Sequence, residues 1–381
     1  MPDRKSVRVA QPQEATGKLA TLLSLRDLDT SPTSPIRMVS GVGCVHARTD
    51  RPHHGEVRAS THPTCSRLST LNSQLSTLAA LLPLAALLAV LAAGCNRPDD
   101  SIGHLEKVWG RRGISEGRLQ KPRAMTIDAH DQVYVVDMTA RIQVFDAEGN
   151  YLRGWQTPDH KLGKPVGLGI GNDGQVLVAD THYNRLLIYS PTGELLQTIG
   201  GTAGQGPGQF GLVSDAVQDR QGNYYVGEFG EYDRIQKFTP DGQFLLQWGG
   251  HGSEPGQFMR PQGLAIDEAG HIWVADACNH RIQVFDGEGR ILHIWGTQGS
   301  GPGELYYPYG VQLAPDGTLY VAEFGNHRVQ KFTRDGRSLG CWGVHGRQEG
   351  QLHAPWALVR DSRGRIHVLD TNNHRVQRVR M

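Results

Sequence analysis

Three histidines, His280, His327 and His374, are each preceded by Asn and followed by Arg. Three imidazoles are a possible zinc ligand set, with zinc–nitrogen bonds of about 2.1 Å. These histidines recur at equal intervals, however, and equivalent positions of a repeat are spread around an array instead of converging on one point. We therefore expect them to hydrogen-bond loop backbone, with metal ligation as the alternative, and we predict no metal site.

A second recurring pattern pairs an acidic residue with an arginine four to six positions later. The pairs are Asp137 with Arg141, Asp180 with Arg185, Glu228 with Arg234, Asp276 with Arg281, Glu323 with Arg328, and Asp370 with Arg375. An acid at the end of one strand and an Arg at the start of the next lie across a tight turn. We expect a charge-assisted hydrogen bond to stabilise that corner in every repeat.

Sequence motifs of common catalytic sites are not found. There is no Gly-x-Ser-x-Gly elbow and no His-Glu-x-x-His helix. The Gly-x-Gly strings, such as the one at 204–208, fall between repeats and read as turns, not as phosphate-binding loops. The sequence therefore favours a protein that is not an enzyme and has no cofactor.

The elements that carry these residues are short strands in a repeating unit. In the unit at 261–296, strands are predicted at 264–267, 272–275, 281–285 and 291–295. Asp-Gly pairs such as Asp241-Gly242 mark the turns between strands. Four strands at a period in the forties are typical of a β-propeller blade. Six acid–arginine pairs predict an all-β, six-bladed β-propeller over residues 103–381.

The two ends of the array predict how the ring closes. The last unit stops after its third strand, at 375–381, and lacks a fourth. The segment 104–110 ends in Trp109-Gly110, like the fourth strands that end at Trp248-Gly249 and Trp295-Gly296. We therefore expect the amino-terminal strand to complete the last blade and leave no long unpaired edge.

The residues that open each innermost strand differ from blade to blade. They are Arg123, Val166, Ser214, Gln262, Tyr309 and Trp356. In the next position, Asp215 replaces the Gly or Ala of the other five units. Positions that vary within a repeat are not needed for the fold, and polar and aromatic groups around a channel suit ligand contact. We predict a ligand site at the channel mouth formed by Arg123, Ser214, Asp215, Gln262, Tyr309 and Trp356, the alternative being a hydrated channel mouth.

The Asn-His-Arg triplets resemble the motif that names NHL repeats, and the resemblance extends over 103–381. It implies a propeller. It does not fix a function, because similar repeats occur in peptide-amidating lyases, sensor domains of bacterial kinases and RNA-binding proteins. Lyase activity would imply zinc-binding histidines in the channel, whereas none of the six channel-mouth residues is His.

The first hundred residues differ in composition from the repeats. Residues 1–74 are predicted to be disordered, or to be an extension upstream of the true translation start. The uncharged Leu/Ala run at 75–94 followed by Cys95 resembles the end of a bacterial lipoprotein signal peptide, with Cys95 as the acylated residue. A plain membrane anchor is the alternative for 75–95. Residues 96–102 would then be a tether.

The bulk charge and the cysteines narrow the expected partners. The formal net charge is +1, from 39 basic and 38 acidic residues, which gives no field to attract nucleic acid. The five cysteines form no CxxC pair, and we expect Cys278 and Cys341 to be free thiols.

We therefore expect a lipid-anchored protein of the cell envelope, on the extracytoplasmic side. Its propeller would bind a protein, a peptide or a small polar ligand without catalysis. A metal-dependent lyase or hydrolase and a structural subunit of an envelope complex are the alternatives.

Overall fold

A computed structural model describes residues 101–381 of the chain. The predictions for 1–74, for 75–95 with Cys95, and for most of 96–102 lie outside these residues. Among the residues described, no helix is both long and apolar enough to cross a membrane.

The described residues form six four-stranded antiparallel sheets, each the blade of a β-propeller. In blade one the strands are β2 (Ala124–Ile127), β3 (Val133–Val136), β4 (Arg141–Phe145) and β5 (Tyr151–Gln156). In blade two they are β6 (Gly167–Ile170), β7 (Val176–Asp180), β8 (Arg185–Tyr189) and β9 (Leu195–Gly200). In blade three they are β10 (Leu212–Gln218), β11 (Tyr224–Phe229), β12 (Arg234–Phe238) and β13 (Phe244–Gly249).

The other three blades repeat the pattern. Blade four contains β14 (Pro261–Ile266), β15 (Ile272–Asp276), β16 (Arg281–Phe285) and β17 (Ile291–Trp295). Blade five contains β18 (Pro308–Leu313), β19 (Leu319–Glu323), β20 (Arg328–Phe332) and β21 (Ser338–Trp342). A short parallel pair, β22 (Val344–His345) and β23 (Gln351–Leu352), precedes blade six, with β24 (Leu358–Arg360), β25 (Ile366–Asp370) and β26 (Arg375–Arg380). The prediction of an all-β, six-bladed propeller is confirmed.

The fourth strand of the blade-six sheet is β1 (His104–Trp109), from the start of the described chain. It runs antiparallel to β26, with His104 opposite Arg380 and Trp109 opposite Val376. The sheet order is therefore β1-β26-β25-β24.

The hydrophobic core lies between blades and not within them. Six clusters of buried side chains each join two neighbouring blades. Tyr134 and Val136 of blade one pack with Val178 and Leu187 of blade two, for example. Strands are buried on both faces in this arrangement, which explains the nearly continuous apolar runs of the middle strands.

The tryptophans that end the outer strands have a packing role. Trp109 lies against Gly149 in a turn of blade one, and Trp295 lies against Gly336 in the equivalent turn of blade five. A Cβ at these glycines would approach the indole rings to 2.4 and 2.6 Å, and both have a left-handed φ, 81° and 88°. Only glycine allows the turn of one blade to contact the tryptophan of its neighbour.

The acid–arginine corners form as predicted in all six blades. The N–O distances are 2.9, 2.8, 2.6, 2.7, 2.6 and 2.7 Å, and each acid is buried. The same guanidiniums also donate to the loops between blades: Arg281 bonds the carbonyl oxygens of Ser253, Glu254 and Gln257. Each corner therefore stabilises both a turn and the neighbouring loop.

Two expectations need correction. The first strand of blade four begins at Pro261, earlier than predicted, because a bulge between Pro261 and Leu264 extends its pairing with β15. Cys278 is disulfide-bonded, so the expectation of a free thiol there is wrong.

Candidate ligand site at the channel mouth

The innermost strands of the six blades enclose an axial cavity of about 270 Å³. All the predicted channel-mouth residues lie in its wall: Arg123, Val166, Ser214, Asp215, Gln262, Tyr309 and Trp356. The structure thus brings together residues that are far apart in sequence, from Arg123 in blade one to Trp356 in blade six. Whether they bind a ligand remains a prediction.

Close contact between neighbouring inner strands explains the small residues beside the mouth positions. A Cβ on Gly263 would lie 2.2 Å from the carbonyl oxygen of Tyr309, and one on Gly310 would lie 3.0 Å from Cα of Ala357. Even an alanine is therefore excluded at Gly263, and a Cβ at Gly310 would require the neighbouring strand to shift.

Asp215 occupies the equivalent position of blade three and bridges two blades. One carboxylate oxygen accepts the backbone N–H of Leu264 at 3.0 Å, and the other accepts that of Ala216 at 3.0 Å. Burial raises the pKa of Asp215 to about 7, against the lowering effect of those two hydrogen bonds. At neutral pH this carboxyl group is therefore poised between its charged and neutral forms.

An aromatic cluster forms one side of the mouth. Tyr309 stacks on Phe324 with ring centroids 4.7 Å apart and meets Trp356 edge-on at 5.0 Å. Tyr309 is buried, and burial raises the pKa of its phenol. The cluster gives the mouth a rigid apolar wall, of the kind that anchors planar ligands.

Two arginines lie against this cluster. The Arg123 guanidinium is 5.6 Å from the Trp356 ring centre, and that of Arg260 is 5.8 Å from Tyr309 and 4.8 Å from Phe229. Arg260 Nε also donates to Gln262 Oε1 at 3.3 Å. Cations are thus held over aromatic faces on both sides of the Tyr309–Trp356 pair.

Ser214 and Gln262 are buried in the wall. The Ser214 hydroxyl oxygen lies near Gly227, 2.9 Å from where a Cβ would stand, and has no hydrogen-bond partner among the residues described. Gln262 is tied to Arg260 and holds that guanidinium near the mouth.

The three histidines of the Asn-His-Arg triplets are structural, as predicted. Their Nδ1 atoms accept backbone N–H groups of the next blade: His280 from Tyr307 at 3.1 Å, His327 from Ala354 at 2.9 Å, and His374 from Lys121 at 2.9 Å. Within residues 101–381, no group of three His, Cys, Asp or Glu side chains is arranged to hold a metal ion.

The predicted site residues did not include Arg260, Phe229 and Phe324. Arg260 immediately precedes the proline that opens its blade, and both phenylalanines follow the acid of the acid–arginine pair. Both of these positions in the repeat vary from blade to blade, as the position that opens each innermost strand does. Comparing every variable position of the repeat, and not only that one, would have found these residues.

Comparison with known proteins agrees with this architecture. A model of the NHL repeat matches residues 258–285 and 305–332. A solved structure titled as a streptogramin B lyase superposes with a TM-score of 0.53 at 14% identity, covering 73% of this chain and 97% of that one. At this identity the likeness shows the fold alone.

Two curated relatives match shorter segments. NHL repeat-containing protein 3 of Mus musculus is 29% identical over 204 residues, which is 49% of this chain and 57% of the mouse protein. Peptidyl-glycine alpha-amidating monooxygenase B of Xenopus laevis is 35% identical over 127 residues, 31% of this chain and 14% of the frog protein. The chain thus spans less than two thirds of either relative.

Proposed function

We propose that this six-bladed β-propeller, in which two segments match the NHL repeat, is a non-catalytic binding module whose axial cavity takes up a small polar or peptide ligand. The observation that carries the proposal is the mouth itself. Arg123, Tyr309 and Trp356 line a cavity of about 270 Å³ there, and Arg260 lies over the Tyr309 ring, at positions where the repeat is not maintained.

Ligand binding at the channel mouth can be tested directly. Purified protein is incubated with an extract of small molecules and peptides, and bound compounds are identified by mass spectrometry. We expect Tyr309→Ala, Trp356→Ala and Asp215→Ala to lose retained compounds, because they remove the aromatic wall or the buried carboxyl group. Leu245→Ala, an exposed outer-strand variant, serves as control. If all three variants retain the wild-type set, the proposal is wrong.

A metal-assisted lyase is the second candidate, and the names of the amidating relatives favour it. Among the predicted channel-mouth residues, Asp215 alone is of a type that binds zinc, and both of its carboxylate oxygens already accept backbone N–H groups. Metal analysis of the purified protein separates the two functions. One equivalent of zinc or calcium, lost in a channel variant, would favour the lyase.

A structural subunit of an envelope complex is the third candidate function. Its partner would be a protein and not a small ligand. Crosslinking would then return one stable protein, whose capture does not depend on Tyr309 or Trp356. Retained small compounds that depend on these residues favour the ligand-binding module instead.

We propose in addition that the propeller is lipid-anchored on the extracytoplasmic side of the cell envelope, through Cys95. Support comes from the uncharged run at 75–94 and the small residues just before the cysteine. Two acyl chains are needed for stable anchoring. Labelled palmitate should enter the wild-type protein and not Cys95→Ser, and equal labelling would contradict the assignment.

A further inference from the structure

Arg123 and Arg260 differ from the arginines that the repeat prescribes. The six repeated arginines each contact a buried acid at 2.6 to 2.9 Å. Within residues 101–381, no carboxylate oxygen lies within the 4.0 Å ion-pair distance of the Arg123 or Arg260 guanidinium. Two cations at the channel mouth therefore have no anionic partner in the described chain.

The two guanidiniums also act on each other. Both guanidiniums lie against the Tyr309–Trp356 pair. Burial first, and then the like charge of Arg260, lower the pKa of Arg123. Partly buried cations without a counter-charge are costly unless an anion neutralises them. An anion between Arg123 and Arg260 would remove that cost.

Two acids near these arginines, Asp233 at the Arg260 backbone and Asp215 in the cavity wall, already have hydrogen-bond partners. Asp233 accepts the backbone N–H of Arg260 at 3.1 Å with one oxygen, and its other oxygen contacts His251 Nδ1 at 2.5 Å. Asp215 is bonded to the backbone of Leu264 and Ala216. Neither carboxylate is available to pair with the mouth arginines.

The aromatic wall defines the rest of the ligand. Arg123 lies over Trp356, Trp356 meets Tyr309, and Arg260 lies over Tyr309, so the cations flank one continuous aromatic surface. Guanidinium forks match the two oxygens of a carboxylate, and ring faces suit a planar apolar body. The cavity, about 270 Å³, is just smaller than the usual ligand pocket of about 300–1,000 Å³, which suits a small ligand.

We propose that the channel mouth binds a small aromatic carboxylate, with Arg123 and Arg260 contacting the anion and Tyr309 and Trp356 contacting the ring. This inference rests on the proposed function, because it names the ligand class of the same site. It adds Arg260 to the binding residues and makes charge the main determinant of selectivity.

The test compares two probes that differ only in charge. The full chain is titrated calorimetrically with 3-phenylpropionate and with its neutral isostere 3-phenylpropanamide. We expect the acid to bind at least about tenfold more tightly, since charge-assisted hydrogen bonds are roughly twice as strong as neutral ones. Arg123→Gln and Arg260→Gln should bring the acid to the affinity of the amide.

Control variants separate charge from folding. Arg123→Lys keeps the charge and should retain part of the preference for the acid. Arg290→Gln removes an exposed outer arginine paired with Asp286 and should leave both titrations unchanged. Melting temperatures of all variants exclude a folding effect.

The failing outcomes are distinct. Equal affinities for acid and amide, or unchanged acid binding in both glutamine variants, would overturn the inference. If Trp356→Leu then weakens both probes, the ligand site of the proposed function still stands. If neither arginine nor aromatic variants alter binding, the site itself is wrong.

Discussion

Asp215 is the only acidic residue that lines the axial cavity in the described part of the chain. Its carboxyl group accepts two backbone N–H groups, yet burial raises its pKa to about 7. The folded protein therefore holds this proton more tightly than the unfolded chain, where an aspartate titrates near 3.9. Stability is lost as the pH rises through the folded-state pKa, because only the folded state must then bury a charge.

The pH dependence of unfolding tests this. Asp215→Asn stays neutral, so the free energy of unfolding of the wild type should fall relative to this variant by about 2 kcal/mol between pH 5 and 8. Urea unfolding at both pH values measures the difference. Asp173→Asn, in an exposed turn, should show no such difference. A parallel pH dependence in wild type and Asp215→Asn would contradict the raised pKa.

At the scale of elements, the histidines of the Asn-His-Arg triplets each connect one blade to the next one. The N–H groups accepted by His280, His327 and His374 belong to Tyr307, Ala354 and Lys121, whose φ angles are 50°, 56° and 45°. A buried N–H that has no strand partner needs an acceptor. In blade three Asp233 accepts the equivalent N–H, from Arg260.

Removing one such acceptor should weaken one joint. His327→Ala leaves the Ala354 N–H without its partner and should lower the free energy of unfolding by about 1–2 kcal/mol. His327→Asp copies blade three and should recover part of the loss. His293→Ala, an exposed outer-strand histidine, is the control. Equal stabilities of His327→Ala and His293→Ala would contradict the assigned role.

The strands and turns of the blades are predicted well from the sequence, and particular residues show why. Turn pairs, the acid–arginine corners and alternating strands recur in register, so the strands at 281–285 and 291–295 fall where predicted. The bulge beside Pro261 was not predicted, because it depends on pairing with β15.

The candidate site was predicted only in part, for a similar reason. When the six repeats are aligned, the residue that opens the innermost strand differs in every repeat, so the channel-mouth residues can be found from the sequence. The contacts of Arg260 with Phe229 and Tyr309 join three blades and follow from the ring geometry alone. The pattern of residues within one repeat does not predict such contacts between blades.

At the scale of the whole molecule, a charged network spans the junction of blades six and one. Glu148 of blade one contacts Arg378 at 2.8 Å, Arg365 at 3.4 Å and Lys107 of β1 at 3.1 Å. The hydrogen bond from Arg378, followed by that from Lys107, lowers the pKa of Glu148 to about 2. The stabilisation is present above the usual glutamate pKa and is lost as the pH falls toward 2.

Glu148→Gln tests the network. The substitution keeps the shape and removes the charge, so the free energy of unfolding near neutral pH should fall by about 1 kcal/mol, as Glu148 is partly exposed and screened. The difference from wild type should close as the pH drops below 4. Glu288→Gln, which breaks one contact with Lys237, should cost less. A cost that does not change with pH would rule out a charge effect.

The pairing of β1 with β26 also orders events in time. During synthesis β1 leaves the ribosome before any blade exists, while β26 is completed last. The outer edge of β26 and the apolar face of Trp109 therefore cannot pair until every intervening blade has been translated. Such distant pairing forms late and slowly, and until then an open strand edge is available to other chains.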